Sequence, residues 1–219
     1  MEQRTNIDVS QYSFDEFISF LFAREVPAEN ENQEPWDWST EVTFVPQQVC
    51  RHYVQLFRQP EFLLQRFSKA QLEQGFWAIQ GPNLDCSVYG LIFETDLPLA
   101  AREECIRSMF HLFERLFSTE PLDTSVQMWW DSLCYDWHCG NRKRERGGED
   151  LLLQDVLFQT LAQVLSVDSQ ICQGAALHGL GHLHHPRTQE LIESYIREHP
   201  SLTKERKEYA LAAARFEVM

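Results

Sequence analysis

Residues 171–198 read ICQGAALHGLGHLHHPRTQELIESYIRE, and this stretch decides the predicted fold. Its first half carries apolar residues at helical spacing, namely Cys172, Ala176, Leu180 and Leu183. Pro186 suits the first turn of a following helix, because the amide proton that proline lacks is not needed there. Ile192, Tyr195 and Ile196 supply the apolar face of that second helix. The stretch therefore predicts two short helices separated by a turn at 184–186.

The order of features in 171–198 is a small-residue helix, a Leu-Gly-x-Leu segment, a turn led by proline and an amphipathic helix. This order resembles one HEAT-like repeat of the type found in phycobilisome lyases, and the resemblance implies an α-solenoid. Lyase activity is not carried over, because many proteins that are not lyases share the scaffold. HEAT-like deoxyhypusine hydroxylases bind two irons through His-Glu dipeptides. The sequence contains no such dipeptide, so none of those ligands is carried over.

Helical signals continue outside this stretch. Ser13 with Glu16, and Ser68 with Gln71, have the spacing of capping boxes, and Pro98 precedes a long run of apolar residues at helical spacing. Residues 84–93 fit a short buried helix, although 88–93 fit a strand equally well, and we favour a helix because the neighbouring segments are helical and no partner strand is evident. The sequence predicts an all-α protein with one domain over 1–219, arranged as an α-solenoid.

Two segments are predicted to be loops with opposite charge. Residues 25–41 contain acidic residues, no Lys or Arg, and two prolines, which predicts an acidic loop or arm. In it, Trp36 and Trp38 either anchor the segment or contact a partner. Residues 140–148 form a basic loop flanked by glycines, with four cations at Arg142, Lys143, Arg144 and Arg146. This loop binds a phosphate or an acidic partner or, as we favour, docks on the protein's own acidic surface.

Composition excludes several classes of protein. The 219-residue chain has a formal net charge of −14, which opposes binding to nucleic acid or to an anionic membrane surface. No signal peptide and no membrane-spanning run is visible, so we expect a cytoplasmic protein. In that compartment the six cysteines are expected to be reduced core residues.

Histidines form the one cluster that suggests metal chemistry. His178 and His182 lie four residues apart, and His184 and His185 follow at the end of the same helix. Neutral imidazoles at this spacing can share a divalent metal ion. The repeat pattern, however, predicts exposed positions for His178 and His182, and no His-Glu-x-x-His order supplies a general base. We therefore predict no bound metal and no cofactor.

Two other groups of residues have structural interpretations. Cys134, His138 and Cys139 lack a second ligand pair at zinc-finger spacing and are predicted to be core thiols beside a helix-terminal histidine. The glycines of the central helix, Gly174, Gly179 and Gly181, are predicted to allow close packing of neighbouring helices.

The resulting functional prediction is a protein that is not an enzyme and that binds another protein. A basic partner would suit the acidic charge, and an inhibitor or immunity protein for a basic toxin is one version. The predicted contact residues are Trp36, Trp38, His178 and His182. The alternative is a metal-dependent enzyme built on His178, His182 and His185.

Overall fold

The computed structural model describes residues 5–26, 40–81, 83–93, 96–122 and 124–218. The structure is mostly helical, with 69% helix and 3% strand, which confirms the predicted all-α class. In chain order the α-helices are α1 (Phe14–Phe22), α2 (Pro46–Arg58), α3 (Leu63–Arg66), α4 (Lys69–Gln80), α5 (Val88–Phe93), α6 (Leu99–Leu112), α7 (Thr124–Gln127), α8 (Asp131–His138), α9 (Gly148–Leu165), α10 (Gln170–Leu183), α11 (Thr188–Glu198) and α12 (Lys204–Ala214).

Both predicted capping boxes are present. The Ser13 side chain accepts a hydrogen bond from the backbone of Glu16, whose carboxylate accepts from Ser13 N in return, and Ser68 and Gln71 repeat this arrangement at the start of α4. Residues 88–93 form helix α5 and not a strand. Local side-chain chemistry therefore fixes where these helices begin, as the sequence predicts.

The aromatic residues of α6 and the following segments form the centre of the core. Helix α6 continues into one wide turn of π-helix over Phe113–Phe117. The ring of Trp130 stacks on that of Phe113 with 5.4 Å between centroids, and Trp129 packs edge-on against Phe117 at 5.9 Å. Both tryptophans are fully buried, so this aromatic density serves packing.

A small parallel sheet was not predicted. Strand β1 (Thr5–Asp8) pairs with strand β2 (Thr40–Thr43), with Ile7 opposite Val42. Asp85 accepts a hydrogen bond of 2.7 Å from Val42 N, which satisfies one backbone group on the open edge of β2. Strands of four residues with one apolar position each carry too little pattern for recognition from sequence.

The predicted acidic loop falls largely outside the described residues. Residues 27–39, which include Trp36 and Trp38, are not described, whereas Thr40 and Glu41 belong to β2. The loop prediction is therefore wrong for those two residues, because they pair with β1.

Helix α10 lies at the centre of the carboxyl-terminal half and packs against α7, α8, α9, α11 and α12. From Cys172 to Leu183 every residue except Gly174 is buried. A Cβ at Gly179 would lie 2.6 Å from Trp130 Cβ, and one at Gly181 would lie 2.3 Å from Val218 Cγ2. Close packing is thus confirmed for these two glycines. It is wrong for Gly174, where an added Cβ would meet no atom within 4 Å.

Helix α11 begins later than predicted. Thr188 N donates to His185 O at 3.0 Å, and Arg187 N donates to His185 Nδ1 at 3.1 Å. This turn holds Pro186 outside α11, which begins at Thr188. Helix α12 is capped by Thr203, whose hydroxyl accepts from Arg206 N.

Across the described ranges, the structure contains no helix that is both long enough and apolar enough to cross a membrane.

Candidate metal centre

The two histidines of α10 are buried, which corrects the expectation that they are exposed. His178 is 8% exposed and His182 is 2% exposed. The repeat pattern places these positions on an outer surface, but α8 and α12 both pack against α10 and cover them. Because a polar group that is removed from water needs a hydrogen-bond partner or a bound ion, their burial has to be explained by their surroundings.

Asp131 is brought to the same point by α8. It is the first residue of that helix, and its Oδ1 lies 2.8 Å from His178 Nε2 and 3.8 Å from His182 Nε2. The two Nε2 atoms are 3.3 Å apart. Three atoms that can each bind a metal ion therefore converge, two from adjacent turns of α10 and one from α8.

These separations match those expected of ligands around one small cation. A tetrahedral zinc ion with bonds of about 2.0–2.1 Å holds its ligand atoms about 3.3–3.4 Å apart. The three distances among Asp131, His178 and His182 run from 2.8 to 3.8 Å and so bracket that value. The geometry is compatible with binding after movements of about half an ångström.

Asp131 Oδ1 is the least satisfied atom of the group. It is buried, and among the described residues it accepts no hydrogen bond in suitable geometry, although His178 Nε2 lies 2.8 Å away. Buried carboxylate oxygens normally accept hydrogen bonds or bind a cation. A cation between the carboxylate and the imidazoles would satisfy this oxygen.

Tyr209 of α12 completes the surroundings of His178. Its hydroxyl lies 2.8 Å from His178 Nδ1. Histidines that bind metals commonly engage a partner through the second ring nitrogen, which fixes the tautomer and the ring orientation. Burial, with a further contribution from Asp131, raises the pKa of Tyr209 to about 12, so the hydroxyl keeps its proton at neutral pH.

His182 is neutral under ordinary conditions. Burial and, next, the proximity of His178 lower the pKa of His182 to about 4. The lone pair needed for metal binding is therefore present at neutral pH without loss of a proton. His182 Nδ1 is buried and has no hydrogen-bond partner among the residues that the structure describes.

The other histidines near the end of α10 lie in two different places. His138 Nδ1 lies 3.1 Å from His184 Nε2, and the rings of His138 and His182 are 5.0 Å apart. His185 is directed towards α9, where its Nε2 lies 3.0 Å from Asp155 Oδ1 and its ring stacks on Phe158 at 3.9 Å. The left-handed backbone of His184, with φ of 53°, ends α10 before His185. The grouping of His178, His182 and His185 is therefore wrong in its third member, which Asp131 replaces.

Cys134 and Cys139 do not join this centre. Cys134 is fully buried, and burial raises the pKa of its thiol well above the ordinary range. Cys139, the residue directly after α8, is exposed. The expectation of two core thiols is thus confirmed for Cys134 and wrong for Cys139.

The three arginines of 140–148 are paired with the protein's own carboxylates. Arg142 lies 3.4 Å from Asp136 and 3.1 Å from Asp150, and Arg144 lies 2.5 Å from Asp155. The segment also contains a short 3₁₀ turn, and its last glycine, Gly148, begins α9. Of the two predicted alternatives, the structure has the loop docked on its own acidic surface.

Sequence reasoning did not identify Asp131 or Tyr209 as members of the site. Asp131 follows a pair of core tryptophans, and Tyr209 lies in a helix rich in alanine. No local motif marks either residue, because both meet the histidines only through the packing of α8 and α12 on α10.

Comparison with protein-family models, with curated proteins and with solved structures finds no match to this chain. The HEAT-like resemblance of 171–198 therefore remains a prediction from the sequence, and the function has to be argued from the site itself.

Proposed function

We propose that this protein binds one divalent transition-metal ion, of the zinc class, through Asp131, His178 and His182. The observation that carries the proposal is the convergence of Asp131 Oδ1 and two Nε2 atoms at separations of 2.8, 3.3 and 3.8 Å. Two imidazoles and a carboxylate suit zinc and its neighbours better than magnesium or calcium, which prefer oxygen ligands.

The ligand set also supports a role in hydrolysis. Structural zinc sites use four protein ligands, whereas catalytic sites use three and keep the fourth position for water or substrate. In the part of the chain that the structure describes, three residues are available here. Metal-assisted hydrolysis is thus the reaction class that suits the site, in line with the enzymatic alternative raised by the sequence.

Metal content of protein purified without an affinity tag tests the binding step. We expect about one zinc ion per chain, and removal by a chelator should lower the melting temperature. A ligand present at 1,000 times its dissociation constant stabilises the folded state by about 4 kcal/mol. Protein that neither contains nor takes up stoichiometric zinc, and whose melting is unaffected by added metal, would contradict the proposal.

Variants separate the proposed ligands from other histidines. Asp131→Asn and His178→Ala should each abolish stoichiometric zinc. His185→Asn should keep it, because that ring contacts Asp155 and Phe158 instead. His111→Ala is the matched control, since His111 lies on α6 beside Glu114.

We also propose, as a second function, that the acidic surface binds a basic protein. The net charge of −14 favours it, because an acidic protein attracts a basic partner over long range. A pull-down with proteins encoded beside the gene should recover a basic partner whose binding weakens steeply with salt. A partner bound equally well at high salt would contradict this mode of recognition.

The proposed scaffold for both functions is a HEAT-like solenoid over the carboxyl-terminal half. Consecutive helices from α9 to α12 contact each other. In addition, α9 contacts α11, and α10 contacts α12. Stacked pairs of helices produce such contacts, which supports this arrangement.

A further inference from the structure

A cavity of about 380 Å³ adjoins the proposed metal centre, between α10 and α12. His178 forms part of its wall, so a ligand in the cavity would contact the same residue that binds the metal. Met128 and Ile171 supply apolar wall, and Arg206 and Tyr209 supply polar groups. The volume lies within the range of about 300–1,000 Å³ that is typical of small-molecule sites.

Gly174 helps to make room for this cavity. It lies one helical turn before His178 on the same face of α10, and it also lines the cavity. An added Cβ at Gly174 would meet no atom within 4 Å, in contrast to Gly179 and Gly181. A glycine inside a helix costs stability of about 0.5–1 kcal/mol relative to alanine. At Gly174 no close helix packing offsets this cost, but the missing side chain leaves space next to the proposed metal centre.

The opposite wall offers a fixed positive charge. Among the described residues that line the cavity, Arg206 is the one with a permanent charge. Its Nη2 donates to Gln170 O at 2.9 Å, which anchors the guanidinium, and its other N–H groups have no hydrogen-bond partner among the residues that the structure describes. A planar guanidinium is well suited to carboxylate and phosphate groups.

Metal binding would supply a second donor on this wall. When His178 Nε2 binds the metal, the remaining ring proton is on Nδ1 and is donated to the Tyr209 oxygen 2.8 Å away. The hydroxyl proton of Tyr209 is then free to be donated into the cavity. The positive charges of the proposed metal ion and of Arg206 together also exceed the single negative charge of Asp131, which lies beside His178.

We infer that this cavity binds a small organic anion next to the proposed metal centre, with its carboxylate or phosphate group held by Arg206 and Tyr209 and its apolar part against Met128 and Ile171. The inference rests on the proposed metal site and names the substrate class for it. A local excess of positive charge in a chain of net charge −14 selects anions at this one place.

The test uses the full chain loaded with Co²⁺, and the binding of each probe is measured by isothermal titration calorimetry. Phenyl phosphate and benzoate are the phosphate and carboxylate probes, and benzyl alcohol is the neutral control. Gly174→Leu fills the cavity, Arg206→Gln removes its charge, and Lys207→Gln removes the exposed neighbouring charge as the matched control. The cobalt content of every variant is measured independently.

We expect saturable binding of at least one anionic probe to the wild-type protein and to Lys207→Gln. Gly174→Leu and Arg206→Gln should weaken that binding at least tenfold while their cobalt content stays at one per chain. Equal affinity in all four proteins, no response to either anion, or equal binding of benzyl alcohol would overturn the inference and leave the metal site intact. A wild-type chain that takes up no cobalt would overturn the proposed metal function first, and this inference with it.

Discussion

The three glycines of α10 allow a direct test of its packing. Replacement of Gly179 by alanine would put a Cβ 2.6 Å from Trp130 Cβ and 2.9 Å from Leu161 Cδ2. Trp130 cannot withdraw easily, since it is fully buried and its ring stacks on Phe113. Gly174→Ala is the matched substitution in the same helix, because its Cβ would enter open space.

The expected magnitudes follow from two opposing contributions. Alanine is favoured over glycine inside a helix by about 0.8–1 kcal/mol, and this gain applies at both positions. Ordinary carbon contacts lie at about 3.5–4.0 Å, so the Cβ at 179 would be about 1 Å too close to two neighbours. Overpacking of a core costs about 1–3 kcal/mol. We expect a value near the upper end of this range, because the added Cβ meets the Trp130 Cβ, which is bonded directly to the backbone. We expect Gly179→Ala to lose about 1–2 kcal/mol and Gly174→Ala to gain up to about 1 kcal/mol.

Urea denaturation of metal-free protein measures both free energies. In thermal melts, 1 kcal/mol corresponds to about 2–4 °C for a chain of this size. Gly179→Ala should therefore melt several degrees below the wild-type protein and Gly174→Ala slightly above it. A Gly179→Ala midpoint equal to or above that of Gly174→Ala would refute the assignment of close packing to Gly179.

Three further predictions concern α10 and α4. Ala176→Leu should cost about 1–3 kcal/mol in urea denaturation, because Ala176 is fully buried; an unchanged midpoint would contradict its core position. Because the folded-state pKa of His182 is about 4, below the unfolded value of about 6.5, the unfolded chain binds more protons between these pH values. The free energy of unfolding of the metal-free protein should thus be highest above pH 6.5 and should fall by up to about 3 kcal/mol towards pH 4. His182→Gln should make this dependence on pH weaker. A pH dependence that is unchanged in His182→Gln would exclude His182 as its source. Ser68→Ala should lower the free energy of unfolding by about 1 kcal/mol, because it removes the N-cap of α4. Ser166→Ala is the control, because Ser166 is not an N-cap residue. A loss in Ser68→Ala that is no larger than the loss in Ser166→Ala would contradict the capping role.

Much of the helical structure could be predicted because its signals are local. Ser13 and Ser68 mark helix starts through contacts within three residues, and Pro98 is the residue directly before the first turn of α6. The start of α11 could not be predicted, since it depends on the hydrogen bonds that His185 makes with Arg187 and Thr188. The strands were missed because four residues define no reliable period.

The candidate site was predicted only in the part that α10 supplies. The spacing of His178 and His182 places both imidazoles on one face of a helix, and that relationship is visible in the sequence. Their burial, and the third ligand atom from Asp131, depend on which helices pack against α10. An amphipathic period identifies an apolar stripe but does not show that a helix is covered on several sides.

The contact between Trp130 and Gly179 lies next to the proposed ligands in both helices. Trp130 precedes Asp131 in the chain, and Gly179 follows His178. Any side chain at 179 would push α8 away from α10 and would also separate the carboxylate from the imidazoles. A substitution at 179 would thus cost stability and, through the same movement, would distort the geometry of the proposed metal site. Because the nearest obstructing atom is the Trp130 Cβ, which every residue except glycine keeps, a smaller side chain at 130 would not make room at 179, and this restricts the paths along which the sequence can diverge.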